Sequence, residues 1–192
     1  LEGQDASKAK SALSLDLSFF ITHLYRTLHQ LALNPDIELS AKSLHLADPN
    51  ASANNTMSNK VNIHTTTVLL LKSLSSILVP AQGARAVPPL RIAAYTKQLM
   101  TMSLHLPEKS TLAMMGLLQK VSKMHETKIR SLWFSEERRG DGVFDATSGE
   151  VEGSNPYAAT VWEGELLRKH FCPGVRDAIK QLEKNVIGLG KP

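Results

Sequence analysis

The sequence has 192 residues, and 22 lysines and arginines against 18 aspartates and glutamates give a net charge of +4. Hydrophobic residues make up 42% and charged residues 21%, a balance typical of a folded domain rather than a disordered one. One cysteine, Cys172, excludes an internal disulfide framework and a multi-cysteine zinc site. No stretch approaches the roughly 18 uninterrupted apolar residues of a membrane span, so we expect no membrane association. Because no methionine or signal-peptide pattern stands at Leu1, we expect a portion of a larger protein.

Leucine supplies 28 residues and the aromatic side chains only 10, which favours helices over strands. From Ser14 to Leu33 apolar residues recur at spacings of three and four, which predicts an amphipathic helix that ends before Pro35. Residues 47–60 are rich in turn formers and indicate a loop.

Three further helices follow in the middle of the chain. Their predicted spans are about His64 to Val79, from Pro88-Pro89 to His105, and Glu108 to His125. The spacing predicts these inward side chains on the first four helices: Leu17, Phe20, Ile21, Leu24, Leu28 and Leu31; Val68, Leu71, Leu74 and Leu78; Ile92, Tyr95, Leu99 and Met102; Leu112, Met115, Leu118 and Val121.

Residues 135–154 hold four glycines and six acids, which indicates an acidic loop with little to bury. Asn155-Pro156 is typical of a helix cap and first turn, and predicts a fifth helix through Leu167. Cys172-Pro173 predicts a sixth helix, with Val175, Ile179, Leu182 and Val186 inward. Six amphipathic helices in series predict an all-α fold, either a bundle or a stack of helix pairs.

The net charge is concentrated in the middle of the chain. Residues 61–135 hold nine basic and two acidic side chains, whereas the flanking regions are nearly neutral or acidic. Such a block can attract phosphate backbones, although solvated outer faces of helices are the commoner explanation for it. The candidate RNA-facing residues are Lys120, Lys123, Lys128 and Arg130.

No motif of catalysis or of cofactor binding stands out. None of the seven histidines lies three or four residues from another, so no helical metal motif occurs. His170 and Cys172 are two residues apart, which is poor geometry for an activated nucleophile and favours a structural corner. We expect no enzyme activity, cofactor or metal.

The segment S-N-P-Y-A-A-T-V-W-E-G-E-L-L-R-K-H-F-C-P-G-V, residues 154–175, is the most distinctive part of the chain. It resembles the C-terminal signature of the nucleolar complex, or CCAAT-binding-factor, family, S-N-x-x-A-x-x-x-W-E-x-x-L-L-x-x-H-[YF]-x-P-x-V. The stretch from Arg91 to Ser110 is similar to the family's basic helix followed by S-L-H-x-P. Gly164 departs from the pattern, since many members carry a larger residue there, and marks either close packing or nothing. The candidate packing or partner residues of the signature are Asn155, Trp162, Glu163, Leu166, His170 and Pro173.

A packing role explains much of this signature. Asn155 would cap a helix whose first turn holds Pro156, Trp162 and Leu166 would face the preceding helix, and His170 would be a hydrogen-bonded corner residue. A partner-facing anchor is the alternative for Trp162, because tryptophan is favoured at binding hot spots.

The resemblance implies a non-enzymatic assembly factor of the large ribosomal subunit precursor (pre-60S), acting in rRNA processing in the nucleolus and nucleus. It implies a HEAT-like helical solenoid, a heterodimer with the second nucleolar complex-associated protein, and contacts with pre-ribosomal RNA and precursor proteins. One member has been linked to replication-origin licensing, so a chromatin-bound licensing factor is the alternative. The whole chain, residues 1–192, would be the C-terminal part of one helical-repeat domain. Its segments are a first helical segment (14–46), a loop (47–60), a basic helical block (61–134), an acidic loop (135–154) and a C-terminal helix pair (155–187).

Overall fold

The computed structural model describes residues 17–38, 65–134, 136 and 140–188, and within these ranges it is helical and without strands. The prediction of an all-α protein is confirmed, whereas the stacking of helix pairs into a solenoid stays a prediction. No helix in the described ranges has both the length and the apolar character of a membrane span. The predicted loop at 47–60 lies outside the described residues.

Seven α-helices occupy the described ranges. They are α1 (Ser18–Ala32), α2 (Thr66–Leu78), α3 (Pro89–Ser103), α4 (Glu108–Met124), α5 (Glu126–Ile129), α6 (Glu163–Leu167) and α7 (Pro173–Ile187). Short 3-10 turns lie at Ala84–Ala86, Arg130–Leu132 and Pro156–Ala158.

The starts of the long helices follow from local sequence. Thr65 caps α2, because its side-chain oxygen accepts a hydrogen bond from the Val68 amide at 3.4 Å. Proline occupies the first turn of α3 and of α7, at Pro89 and Pro173, where a missing amide hydrogen costs nothing. The predicted starts at these two prolines are confirmed.

Helix α3 runs through the centre of the protein, and every residue from Ile92 to Met100 is buried. Its predicted inward residues, Tyr95 and Leu99 among them, are all buried as expected. The opposite face is buried too, because α1, α4, α5 and α6 all contact this helix. This central helix carries four buried polar side chains, Thr96, Lys97, Gln98 and Ser103, and burying a polar group is costly unless it has a hydrogen-bond partner.

The most extensive contact between helices joins α4 and α7. All four predicted inward residues of α7 are buried, and those of α4 are buried except Leu112, which is half-buried. The three- and four-residue spacing thus identified the correct face of both helices.

The predicted inward face of α1 is partly wrong. Leu17 and Phe20 are 52% and 46% exposed, whereas Tyr25 is buried. The helix is turned because Tyr25 packs edge-on against Tyr95 of α3, with ring centroids 5.1 Å apart. The Tyr95 hydroxyl also donates a hydrogen bond to the Ile21 carbonyl oxygen at 2.6 Å.

The predicted face of α2 is shifted as well. Val68 is exposed, while Leu70 and Ile77 are buried. A polar contact sets this orientation, since the buried Thr67 hydroxyl lies 2.9 Å from the Ser110 hydroxyl of α4. Spacing of apolar residues carries no information about such a contact.

The fifth helix predicted from Asn155 to Leu167 is wrong in extent. A 3-10 turn at Pro156–Ala158 is followed by an extended Ala159, and only the five residues of α6 are α-helical. The break is stabilised by tertiary hydrogen bonds, because the Val161 amide donates to the Leu132 carbonyl oxygen at 2.7 Å. A local propensity for helix is overridden here by contacts distant in sequence.

The acidic loop buries more than its composition predicts. Ser154 is fully buried, and Val151 packs against the core. The Gln98 side chain of α3 donates to the Ala146 carbonyl oxygen at 2.9 Å. Residues 140–154 therefore pack against the helices, and the expectation of little to bury is corrected.

Candidate functional site

Lys97 and Glu163 form an ion pair in the protein interior. Lys97 lies on α3 and Glu163 begins α6, with 2.8 Å between Nζ and Oε2. Lys97 Nζ also donates to the Thr160 carbonyl oxygen at 2.6 Å, and Thr101 Oγ1 donates to Glu163 Oε1 at 2.8 Å. Neither charged side chain is more than 1% exposed. Both carboxylate oxygens have a donor, as a buried charge requires.

Two aromatic rings cover the Lys97 ammonium. Its Nζ lies 5.4 Å from the ring centroid of Phe144 and 5.5 Å from that of Trp162, both within the range of cation–π attraction. Trp162 is nevertheless 51% exposed. Its ring thus separates the buried ion pair from solvent and presents the rest of its surface outward.

The expectation that Trp162 and Leu166 face the preceding helix is wrong, since Leu166 is also half exposed. The short helix α6 buries Glu163, Gly164 and Leu167 instead. The Glu163 carboxylate, which pairs with Lys97 of α3, lies on the inward side of α6. The large apolar side chains of Trp162 and Leu166 therefore point outward. The alternative, a partner-facing role for Trp162, stays a prediction.

Burial lowers the pKa of Lys97 from its ordinary value, and the opposing effect of Glu163, through charge and hydrogen bonding, limits the change. Desolvation thus acts against the charged form, while the carboxylate stabilises it. The arrangement joins α3 to α6 and exposes neither charged group as an acid or base for catalysis.

Gly164 lies where α6 approaches α7 closely. A Cβ on this residue would come within 2.7 Å of Glu183 Oε1 and 3.7 Å of Ile179 Cδ1. Glu183 is held in place by Arg168, whose Nη2 lies 2.7 Å from Oε2. Of the two interpretations of this departure from the family pattern, close packing is the one the structure favours.

Asn155 positions a loop instead of capping a helix. It adopts a left-handed conformation, with φ 49° and ψ 59°, and makes no side-chain cap. Its Nδ2 donates to the Asp141 carbonyl oxygen at 2.6 Å. A Cβ on Gly140 would lie 2.9 Å from the Tyr157 carbonyl carbon, so this approach requires glycine. The predicted cap is therefore wrong, and the Asn155 side chain instead holds residues 140–142 against the segment that begins at Asn155.

A cavity of about 230 Å³ opens beside Trp162. Phe144, Ala146 and Ala159 line its apolar walls, and Val143 at its edge is 83% exposed. Gly142 has φ +95°, a conformation that favours glycine and turns the chain directly before Val143.

His170 and Pro173 form the corner between α6 and α7. His170 Nδ1 accepts a hydrogen bond from the Cys172 amide at 3.1 Å, and the thiol of Cys172 donates to Glu108 Oε1 at 2.9 Å. Arg176 closes the corner by donating to the His170 carbonyl oxygen at 2.8 Å. The prediction of a hydrogen-bonded corner residue is confirmed for His170.

The four candidate RNA-facing residues differ in their surroundings. Lys120 and Lys123 are exposed on α4, one turn apart. Lys128 Nζ donates to the carbonyl oxygens of Ala84 and, at 2.6 Å, Val87. These bonds make Lys128 less suited to phosphate binding.

Arg130, the fourth candidate, is half-buried with its guanidinium 5.4 Å from the Phe134 ring centroid. Lys97 belongs to the same basic block, and it is buried and paired. The cationic surface of the block is therefore smaller than its net charge indicates. Within the described ranges, no group of three histidine, cysteine or carboxylate side chains could hold a metal ion.

The comparison with protein families identifies the chain's relatives. The CBF/Mak21 family matches residues 4–179, which include α1 through α6 and the first half of α7. This chain belongs to the CBF/Mak21 family. The family resemblance predicted from residues 154–175 and from Arg91–Ser110 is confirmed.

Several proteins similar to this chain are named for a nucleolar complex. The chain is 36% identical over 170 residues to nucleolar complex-associated protein 3 of Saccharomyces cerevisiae, which covers 88% of this chain and 25% of that protein. It is 32% identical over 176 residues to the Schizosaccharomyces pombe protein of that name, and this match covers 92% of this chain and 23% of that protein. The human nucleolar complex protein 3 homolog is 26% identical to this chain over 167 residues, and the match covers 85% of this chain and 17% of the human protein.

The chain thus spans about a quarter of the length of the yeast relatives it matches. Its segment F-F-I-T-H-L-Y-R, residues 19–26, and Cys172-Pro173 are the features that, within the family, predict a likeness to the third nucleolar complex-associated protein. That likeness is confirmed by the names of the relatives.

The sequence did not point to Lys97, Thr101 or Phe144 as parts of the site. Lys97 lies two residues from both Tyr95 and Leu99, and this spacing puts it on the side of the helix opposite to their predicted inward face. Spacing therefore gave no signal that Lys97 is buried, and the signature marked Glu163 without naming its partner. Their pairing depends on the tertiary fold.

Proposed function

We propose that this chain is part of a non-enzymatic assembly factor of the large ribosomal subunit precursor, acting in the nucleolus and nucleus. The match to the CBF/Mak21 family over residues 4–179, with relatives named for a nucleolar complex, carries this proposal. The buried Lys97–Glu163 pair joins two helices, and this structural use of its charges supports a scaffold role. In this scheme the long helices provide surfaces for the second nucleolar complex-associated protein, for other precursor proteins and for pre-ribosomal RNA.

Depletion of the intact protein, followed by pulse labelling of ribosomal RNA, tests this function. We expect large-subunit rRNA to fall relative to small-subunit rRNA, with unprocessed precursor accumulating, before any fall in replication-origin firing. Loss of origin firing with normal processing of both rRNAs would contradict the proposal and favour the licensing factor.

The RNA contact is assigned to the exposed lysines of α4. Lys120 and Lys123 supply two positive charges to one helix face, and releasing counterions from phosphate favours binding to any RNA sequence. Lys128 and Arg130 follow α4 in the sequence, and their side chains are already engaged with the protein.

Charge reversal of Lys120 and Lys123 to glutamate tests the assignment. We expect weaker crosslinking to precursor RNA, with the loss largest at low salt because the contact is electrostatic. Reversal of Lys180 and Lys184, exposed on α7, changes the net charge equally and serves as the matched control. Equal crosslinking by the two double variants would contradict a specific role for α4.

A further inference from the structure

Trp162 and Val143 frame an apolar cavity that has one acidic edge. The volume of about 230 Å³ lies below the roughly 300–1,000 Å³ typical of small-molecule sites and suits one large aliphatic side chain. Two exposed apolar side chains beside a side-chain-sized cavity are typical of a protein-docking surface.

Contacts within the protein hold the residues of this surface in place. Asn155 ties the Asp141 carbonyl, Gly142 turns the chain, and the rings of Phe144 and Trp162 rest on the Lys97 ammonium. Because these contacts hold both walls of the cavity, binding there costs little conformational ordering.

The exposed charges on the chain that carries the cavity walls have one sign. Residues 140–167 contain six acidic side chains and no lysine, arginine or histidine. Glu163 is neutralised by Lys97, but Asp141 and Asp145, on either side of Val143, are exposed. Hydrogen bonds from the Thr147 hydroxyl and amide lower the pKa of Asp145, which keeps it ionised at neutral pH.

We propose that this surface, residues Asp141–Ala146 with Trp162, binds a basic segment of a partner protein that inserts one aliphatic side chain into the cavity. Lysine or arginine on either side of the inserted residue pairs with Asp141 and Asp145. The acidic edge repels phosphate, which separates this surface from the lysines of α4. The inference deepens the proposed scaffold function by naming the chemistry of one partner contact.

Synthetic peptides test the inference on the purified protein. The probe is a labelled alanine-rich peptide with one leucine between pairs of lysines, and its controls replace the leucine with alanine or the lysines with glutamate. We expect the parent peptide to bind in a salt-dependent way and each control to bind about tenfold more weakly in fluorescence anisotropy. Equal affinities for the three peptides would overturn the inference.

Substitutions in the protein locate the binding. Val143→Arg adds a positive charge at an 83% exposed residue, so folding is preserved while a basic peptide is repelled and the cavity edge is blocked. We expect about a tenfold loss of affinity, whereas Leu69→Arg, at an exposed apolar residue of α2, leaves the affinity unchanged.

Unchanged peptide binding by Val143→Arg would place the contact elsewhere and overturn the inference. So would an RNA oligonucleotide that competes with the peptide at this surface. Because the peptides are tested on purified protein and rRNA processing in cells, either proposal can fail while the other holds.

Discussion

Lys97 shows how the position of one residue changes the meaning of a charge. In the sequence it is one of nine cations in a basic block, and in the structure it is a buried partner of Glu163. Breaking such a pair leaves an uncompensated buried charge, whereas replacing both partners with apolar residues removes the desolvation penalty as well. The pair should therefore act as a unit in stability.

We predict that Lys97→Met or Glu163→Leu alone lowers the free energy of unfolding by about 3–5 kcal/mol, and that the double variant recovers most of this loss. Urea unfolding of the four proteins gives the coupling energy. The exposed Asp177–Lys180 pair, with 3.7 Å between its charged atoms, is the control, because such pairs contribute at most about 1 kcal/mol. Additive effects at positions 97 and 163 would contradict the buried pair.

Two buried tyrosines predict how stability changes at alkaline pH. Burial raises the pKa of Tyr25 to about 12 and also raises the pKa of Tyr95. Above pH 10 the unfolded chain loses these protons while the folded protein keeps them, so stability is complete below pH 10 and falls as pH rises. Between pH 10 and 11 we expect a loss of about 1 kcal/mol per tyrosine.

Urea unfolding across this pH range measures the tyrosine effect. Tyr25→Phe should remove that residue's own loss of about 1 kcal/mol between pH 10 and 11, since its proton is then absent from both states. Lys97, whose lowered pKa acts in the opposite direction, is the same in both proteins and cancels from the comparison. A slope unaffected by this substitution would show that other groups cause the alkaline loss.

At the scale of elements, the close packing of α6 against α7 depends on a glycine, Gly164. Gly164→Ala should destabilise the protein by about 1 kcal/mol, because the added Cβ meets Glu183 although alanine favours helices. Gly116→Ala on α4 is the matched control, since nothing lies within 4 Å of its added Cβ. We expect that control to stabilise by about 1 kcal/mol.

Thermal unfolding of the two variants separates packing from propensity. Shifts in opposite directions are the expected result. A gain in stability at both positions would mean that Glu183 moves aside without cost and that the α6–α7 contact is not tight.

The long helices were predictable from the sequence because each buries a face that repeats every three to four residues. The prolines at the first positions of α3 and α7 fixed the starts of these helices. The region around Asn155 was not predictable in the same way, since its conformation depends on two hydrogen bonds between residues distant in sequence. Asn155 Nδ2 donates to the Asp141 carbonyl oxygen, and Lys97 Nζ donates to the Thr160 carbonyl oxygen. Similarly, the Tyr25–Tyr95 contact sets the rotation of α1, and spacing alone could not reveal it.

At the scale of the whole molecule, composition predicted the fold class and the signature predicted the family. Which side chains are exposed could be learned only from the structure. Lys128, predicted to face RNA, donates hydrogen bonds to backbone carbonyl oxygens, while Trp162, predicted to pack against a helix, is half exposed. Exposure depends on which helices cover a residue, and that is a property of the tertiary arrangement.

We propose that the intact protein is a component of large-subunit precursors. Sedimentation of a nucleolar extract through a sucrose gradient, with the protein and precursor rRNAs followed in each fraction, tests this claim directly. We expect the protein to co-migrate with large-subunit precursor rRNA and to shift to lighter fractions after RNase treatment. Migration apart from these precursors, with the protein recovered only on chromatin, would contradict it.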